Sequence, residues 1–266
     1  MFSTNPLSTS PIGFGLMGMT WRAHQTPDEQ TFAAMKTAIA NGATFWSTVD
    51  FYGTSDPLAG VKLVKIFVKG CADPTTLAPT NDHAGVRASA EKVPSALGGV
   101  KSIDVFGPAR QNPGVPLEET LGELKALKAH VIHPLSLVEV EFSLWSTDIL
   151  TNGVAAIAKS LNIPVVAYSP LGRGFLTELV GKLTAFAQKK KVTPPQLALA
   201  WFLSNSNSSS TGTIIPIPGA TTFQRVEENT QKVILLDEKT QLDAILNSVQ
   251  VVGGRYNKQL EYTLWG

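Results

Sequence analysis

Short apolar runs alternate with helical patterns along nearly the whole chain, and this alternation is its strongest constraint on fold. Strands are predicted where β-branched and aromatic residues cluster, at residues 12–17, 44–49, 65–68, 103–106, 136–141, 164–168 and 213–216. Helices are predicted between and after them, at residues 27–40, 84–96, 117–129, 148–160, 177–190, 195–204, 222–230 and 238–247. This pattern predicts parallel strands joined by crossover helices.

Two parallel architectures compete for such a pattern. A Rossmann fold places GxGxxG after an early strand, but the run from Gly13 to Gly18 coincides with the first predicted strand and no βαβ unit follows. The most nucleotide-like segment lies near the C-terminus instead, where a TIM barrel carries its phosphate site. The prediction is therefore a single TIM (β/α)8 barrel domain over residues 1–266.

The strand count predicts that this barrel is incomplete. Seven strand candidates are visible, whereas a closed TIM barrel has eight. Residues 107–135 hold one predicted helix and no strand, and residues 52–65 are short for a crossover helix. A fifth strand–helix unit is therefore expected to be missing.

The nucleotide-like segment is TIIPIPGATTFQRVEEN, residues 213–229. An apolar strand breaks at Pro218-Gly219, and Thr221 with Gln224 predicts a capping box at the start of a helix. A helix N-terminus offers N–H groups and a positive dipole end to a phosphate, and Arg225 adds a charge on the first turn. The competing interpretation is an ordinary strand–turn–helix unit.

Composition excludes several functional classes. The formal net charge is +1 without a basic patch beyond residues 189–191, so nucleic acid is not expected as a partner. No apolar run approaches the roughly 18 residues of a membrane span, and no secretory signal is visible. A lone Cys71 fits a reducing compartment. We therefore expect a cytoplasmic protein, and the same features are compatible with the nucleus.

Three side chains at predicted strand ends suggest carbonyl chemistry. Tyr52 follows the second strand and Lys69 ends the third, so their side chains are expected to meet at the C-terminal end of the barrel. A nearby ammonium would lower the tyrosine pKa from about 10 and prepare the phenol for proton donation. Tyr168 offers a ring for stacking on a nicotinamide. The competing interpretation is packed aromatic rings and a lysine extended to solvent.

Five motifs carry a family resemblance: FWSTVDFYG, VKG, VEVEFSLWS, AYSPLGRGFLT and IIPIPGATTFQRVEEN. Together they resemble the aldo-keto reductase superfamily and, within it, the fungal pyridoxal reductases (pyridoxine 4-dehydrogenases). The resemblance extends from about Ile12 to Tyr256. It implies a TIM barrel, NADPH, no metal, and hydride transfer to a small carbonyl substrate.

The resemblance also implies roles for individual residues. Tyr52 would be the proton donor and Lys69 its partner. The cofactor would be held by a larger set, in which Glu139 stands where Gln is more usual and Tyr168 stacks on the nicotinamide. The whole set is Glu139, Tyr168, Ser169, Leu171, Gly172, Gly219, Thr221, Arg225, Glu228 and Asn229.

The chain departs from the superfamily pattern at two catalytic positions. Ser47 stands where the resemblance implies Asp, and Ala109 where it implies the catalytic His. Losing one preorganised donor typically costs about a hundredfold in rate, so turnover on simple aldehydes is expected to be slow. The fifth strand, a cofactor loop after Gly174 and part of the region around Lys62 also appear to be missing. Either the chain is truncated internally or the sequence omits pieces of a longer one.

Two functions follow as hypotheses. The first is an NADPH-dependent reductase of pyridoxal or a similar small aromatic aldehyde, with a role in vitamin B6 metabolism. The second is a catalytically weak or inactive NADPH-binding barrel with a sensing or regulatory role. No metal site is expected, because the four histidines show no metal-ligand spacing, and Cys71 is predicted to be a buried structural thiol.

Overall fold

The computed structural model describes residues 10–21, 24–52, 64–97, 103–127, 136–172, 178–231 and 238–249. The strands of these residues are β1 Phe14–Gly15, β2 Phe45–Val49, β3 Lys65–Gly70, β4 Val105–Pro108, β5 Val138–Glu141, β6 Val165–Tyr168 and β7 Ile214–Pro216. The helices are α1 Met17–Thr20, α2 Asp28–Ala40, α3 His83–Ala96, α4 Leu117–Leu127, α5 Val154–Ser160, α6 Glu178–Lys190, α7 Pro194–Asn205, α8 Phe223–Thr230 and α9 Lys239–Asn247. A short 3₁₀ helix occupies Asp148–Leu150.

All strand pairs of the described residues are parallel, as the alternating pattern predicts. One sheet has the order β1-β2-β3-β4 and the other β5-β6-β7. Backbone bonds join the sheets at one side, where Gly13 N donates to Pro216 O at 2.9 Å and Gly15 N donates to Pro218 O at 3.2 Å. The strands thus follow the order of a barrel wall, β5-β6-β7-β1-β2-β3-β4.

Among the described residues, no strand pairing closes the barrel wall between β4 and β5. Within the described ranges, β4 pairs with β3 and β5 pairs with β6, with no ladder between β4 and β5. The sequence predicted a missing fifth strand at this place. The strand labelled β5 here therefore corresponds to the sixth strand of an eight-stranded barrel. A parallel sheet with unpaired edges loses hydrogen bonds there, which makes the opening costly.

Residues alternate between the barrel interior and the helix layer. Phe45, Phe67, Leu137, Val166 and Ile215 pack together from both sheets and fill the interior. Their strand neighbours face outward into two larger clusters, one beneath α2, α3 and α8 and one beneath α5, α6, α7 and α9. This two-residue period explains why the strands read as nearly continuous apolar runs.

Three details of the predicted elements are wrong. The helix predicted at residues 148–160 is interrupted, because Gly153 adopts φ +91° between the 3₁₀ helix and α5. Helix α1 was missed and replaces the end of the first predicted strand. Thr222, not Thr221, caps α8, since the Thr222 side chain accepts a hydrogen bond from Arg225 N at 3.3 Å.

The capping box predicted for Thr221 and Gln224 therefore does not form. A capping box does occur at α7, where Thr193 and Gln196 exchange both bonds and a proline follows at the first helical position. Among the described residues, no helix is long and apolar enough to cross a membrane.

Candidate active site

A polar layer lies on top of the apolar barrel interior. The inward positions that follow Phe45, Phe67 and Leu137 by two residues are Ser47, Lys69 and Glu139. Because parallel strands end on the same side, these polar groups meet near the C-terminal ends of β2, β3 and β5. The sequence pattern thus places charged groups where an active site of this architecture is built.

Glu139 is the centre of this polar layer. The Lys69 ammonium donates a hydrogen bond to Glu139 Oε1 and forms an ion pair with it. The Ser47 hydroxyl donates to the other carboxylate oxygen, Oε2, at 2.8 Å. The Lys69 side chain is 14% exposed and that of Glu139 is 6% exposed. A buried charge pair of this kind is stable only when both partners are satisfied.

Tyr52 lies in the turn after β2, with its backbone N–H donating to Val49 O at 3.2 Å. Its ring packs against Trp21 and Phe51, with ring centroids 5.8 Å away in each case. Among the described residues, the Lys69 ammonium donates a hydrogen bond to Glu139, and its expected contact with Tyr52 stays a prediction. The catalytic roles of Tyr52 and Lys69 stay predictions.

A hydrogen-bonded network fixes the strand ends beneath these groups. Ser89 of α3 donates to Asp50 Oδ2 at 2.9 Å, and Cys71 N donates to Ser89 Oγ at 2.9 Å. Asp50 N in turn donates to Lys69 O at 2.9 Å. Asp50 thus points into the helix layer, as strand alternation predicts. The network ties the residues flanking Tyr52 and Lys69 to helix α3.

Cys71 is a structural thiol, as the sequence predicted. The residue is buried, and burial raises the pKa of its thiol to about 12, with the nearby Asp50 charge acting in the same direction. A thiol with so high a pKa is a poor nucleophile at neutral pH.

Arg110 is a site residue that sequence reasoning missed. Ala109 follows β4, and the guanidinium of the next residue, Arg110, lies over the Tyr168 ring at 5.6 Å from the centroid. Tyr168 is the last residue of β6, and it packs against the apolar cluster of the barrel interior. A cation over an aromatic face is an attractive contact. The signal available in the sequence was the position of Arg110 directly after the departure at Ala109.

The loop after β6 carries three further predicted cofactor residues. Ser169 and Gly172 both have left-handed backbone, with φ of 50° and 57°, and Gly172 N donates to Ser169 O at 2.8 Å. Leu171 packs against the outer core. A Cβ on Gly172 would overlap the Trp145 ring, so glycine is required there. The rest of the predicted cofactor loop, residues 173–177, lies outside the described residues.

The predicted phosphate segment lies at the side where the two sheets join. Gly219 forms a β-bridge with Gly15, and a Cβ on Gly219 would have only Gly15 O nearby, at 3.5 Å. The carbonyl of Thr221 accepts a hydrogen bond from Gln30 Nε2 at 2.7 Å. The backbone here is open to a ligand and its turn is anchored to helix α2.

The remaining predicted adenosine-binding residues lie on α8. Arg225 is 65% exposed and its guanidinium lies 3.5 Å from Glu228 Oε2. Asn229 is buried one residue further on. Arg225, Glu228 and Asn229 thus follow Gly219 and Thr221 within one turn–helix unit after β7. Their cofactor contacts stay predictions. Among the described residues, no group of three histidine, cysteine or carboxylate side chains is placed to hold a metal.

Comparison with known proteins identifies relatives over the whole length of the chain. The chain is 34% identical to the "Probable pyridoxal reductase 2" of Schizosaccharomyces pombe, over 98% of both chains. It is 28% identical to the "Probable aldo-keto reductase 1" of Glycine max, over 98% of this chain and 92% of that one. The first alignment has 331 positions against 266 residues here, so at least 65 positions have no counterpart in this chain.

Solved structures of two aldo-keto reductases share the fold. A thermostable enzyme in complex with the inhibitor epalrestat superimposes with a TM-score of 0.70 at 23% identity, covering 88% of this chain and 94% of that one. The enzyme from Klebsiella pneumoniae in complex with NADPH gives a TM-score of 0.71 at 21% identity, covering 89% and 90%. The TIM barrel prediction is confirmed by these neighbours.

The profile of the Aldo/keto reductase family matches the chain in two segments, residues 11–131 and 127–246. The two segments meet in the stretch between α4 and β5, where the barrel wall is open. The family resemblance seen in the sequence is therefore confirmed, and the chain belongs to the aldo-keto reductase family.

Proposed function

We propose that this chain is an NADPH-dependent carbonyl reductase whose substrate is pyridoxal or a similar small aromatic aldehyde. One observation carries the proposal. A buried Lys69–Glu139 pair lies in the polar layer above the barrel interior. Lys69 is on β3, which pairs with β2, and the turn after β2 carries Tyr52, whereas Glu139 is on β5 of the other sheet. Burying charged groups costs desolvation energy, so a buried charge pair in the mouth of a barrel favours a functional site there.

The residues present fit NADPH at the joined side of the barrel. Gly219 is exposed and lacks a side chain next to β1, which leaves its backbone open to a dinucleotide, whereas Gly15 packs against the backbone of residues 217–219. Arg225 is exposed on the first turn of α8, where a helix N-terminus and a guanidinium act on the same anion. We therefore assign the 2′-phosphate and adenine to Gly219, Thr221, Arg225, Glu228 and Asn229.

When bound, NADPH supplies the hydride that reduces the carbonyl carbon. Tyr52 donates the proton to the carbonyl oxygen, and the Lys69 ammonium stabilises the negative charge left on the phenol. Tyr168, Ser169, Leu171 and Gly172 would hold the nicotinamide half of the cofactor.

An aromatic substrate suits the walls of the site. Trp21 and Phe51 lie edge to face at 5.3 Å, beside Tyr52, and Trp21 is 41% exposed. Such a partly exposed aromatic cluster favours a flat ring. The name of the S. pombe relative, a probable pyridoxal reductase, supports pyridoxal as the aromatic substrate. A role in vitamin B6 metabolism and a cytoplasmic location stay predictions.

The second candidate function is an NADPH-binding barrel with little or no turnover. Three features favour it: Ser47 removes a carboxylate that would pair with Lys69, Ala109 removes a hydrogen-bond donor, and the described residues leave the wall unpaired between β4 and β5. The adenosine half has no comparable loss among the described residues.

NADPH oxidation with pyridoxal, measured for the parent and Tyr52→Phe, separates the two. Phenylalanine keeps the ring contacts with Trp21 and Phe51 and removes only the proton donor. We expect Tyr52→Phe to lower kcat at least about a hundredfold while NADPH binding, followed by fluorescence, is unchanged. NADPH binding without Tyr52-dependent turnover would establish the second function instead.

A further inference from the structure

We propose that Glu139 is the positioning residue for Lys69: its carboxylate holds the lysine ammonium in the barrel mouth, and the Ser47 hydroxyl fixes that carboxylate. This assignment rests on the proposed function, in which Lys69 assists Tyr52. Glu139 would then assist proton transfer, in addition to making the cofactor contact that the family resemblance implies.

The geometry supports a dedicated counter-ion. Both carboxylate oxygens of Glu139 are engaged, Oε1 by Lys69 Nζ and Oε2 by Ser47 Oγ at 2.8 Å. Lys69 is mostly buried, so its ammonium has little water to replace a lost partner. Phe67, below it, offers only a weak contact, with Nζ 5.9 Å from the ring centroid.

Ser47, Lys69 and Glu139 come from both sheets of the barrel. Ser47 and Lys69 lie on adjacent strands of one sheet, on inward positions two residues apart in register. Glu139 reaches them from the other sheet, across the interior of the barrel. The ammonium is therefore held between its own strand β3 and the carboxylate on β5.

The test is Glu139→Gln, which keeps size and a hydrogen-bonding oxygen but removes the negative charge. We expect kcat with pyridoxal to fall about 10- to 100-fold at pH 7, while Kd for NADPH changes less than about threefold. We also expect the alkaline limb of the kcat profile to move to lower pH, because an ammonium without its counter-ion deprotonates earlier.

Rescue distinguishes charge placement from simple damage. The double variant Ser47→Asp/Glu139→Gln moves the carboxylate from β5 to β2, which pairs with β3. It leaves an uncharged amide at position 139. The double variant is expected to recover kcat to within about threefold of the parent and to restore the alkaline limb. Glu91→Gln is the matched control, since it removes a carboxylate from an exposed ion pair with Arg87 at 3.8 Å and should change neither quantity.

A measurement without turnover keeps this assignment separable from the proposed function. Trace acetylation followed by mass spectrometry reports how much of Lys69 is uncharged at a given pH. Glu139→Gln is expected to raise the labelling rate of Lys69 about tenfold at pH 8, because losing a nearby opposite charge favours the uncharged amine, and the double variant is expected to lower it again. If labelling responds in this way but the parent does not reduce pyridoxal, the proposed function fails and the pairing stands.

Two results would overturn the assignment. One is an unchanged pH profile and unchanged Lys69 labelling in Glu139→Gln. The other is a double variant that is no better than Glu139→Gln, accompanied by a fall in melting temperature in both, because Glu139 would then only join the two sheets.

Discussion

The Ser89 hydroxyl offers a sharp test of how the strand ends beneath the site are held. Ser89 accepts a hydrogen bond from Cys71 N and donates one to Asp50 Oδ2, each at 2.9 Å. Asp50 Oδ1 is buried and has no hydrogen-bond partner among the described residues, so the carboxylate depends on Ser89. Ser89→Ala removes both bonds at once.

The expected cost can be worked from these two bonds. An unpaired buried N–H costs about 1–3 kcal/mol, and a lost bond to a charged carboxylate costs about 1.5–3 kcal/mol. Alanine is the better helix former and returns about 0.5 kcal/mol within α3. The free energy of unfolding should therefore fall by about 2–5 kcal/mol, a large share of the roughly 5–15 kcal/mol typical of a protein.

Urea denaturation measures this change directly, with the midpoint and slope determined for each variant. The matched control is Ser160→Ala at the end of α5, where the exposed hydroxyl donates to Ile157 O at 2.8 Å. The control should change stability by less than about 0.5 kcal/mol. A Ser89→Ala variant as stable as the control would refute the reasoning that this network supports the strand ends.

Three further predictions concern backbone strain, a thiol and the cofactor. Gly172→Ala should destabilise the protein by at least about 2 kcal/mol in thermal unfolding, because a Cβ would overlap Trp145. The control is Gly153→Ala, which also has positive φ but leaves its added Cβ with no atom within 4 Å. The control should cost only about 1 kcal/mol of backbone strain. The pKa of Cys71 is raised to about 12 by burial, from 9.0 in the unfolded chain, so the stabilisation of its neutral thiol is complete below pH 9 and is lost between pH 9 and 12. Stability should therefore decline more steeply in that window for the parent than for Cys71→Ala, and equal slopes would contradict the burial effect. Arg225→Ala should raise Kd for NADPH about tenfold and leave Kd for NADH unchanged in a fluorescence titration, because we propose that the exposed Arg225 guanidinium binds the 2′-phosphate. An equal loss for both dinucleotides would exclude that role.

Local patterns in the sequence were sufficient for most of the fold. The apolar strands and amphipathic helices are visible over windows of a few residues, so all seven strands were placed within a few residues of their observed positions. The predicted ends of helices were wrong where a single side chain decides where the helix begins. Two adjacent threonines offer the same hydroxyl at α8, and only the observed backbone shows that Thr222 rather than Thr221 takes the cap.

The partnership at Glu139 could not be predicted from local sequence. Its hydrogen-bond partners lie 92 and 70 residues away along the chain, and no period or spacing connects them. The sequence showed a missing carboxylate at Ser47 and an unusual one at Glu139, and the tertiary structure relates these two departures. Arg110 was missed for the same reason, because its contact with Tyr168 joins β4 to β6.

The two halves of the candidate site differ in how the fold supports them. The predicted adenosine half lies where β7 and β1 are joined by backbone hydrogen bonds, so its geometry depends on paired strands. The predicted nicotinamide half borders the opening, where Glu139 lies on an edge strand and is positioned by side chains of the other sheet. Side-chain bonds hold a strand less firmly than a ladder does, so β5 should move more easily than β7. Perturbations near the opening are therefore expected to affect turnover before they affect cofactor binding.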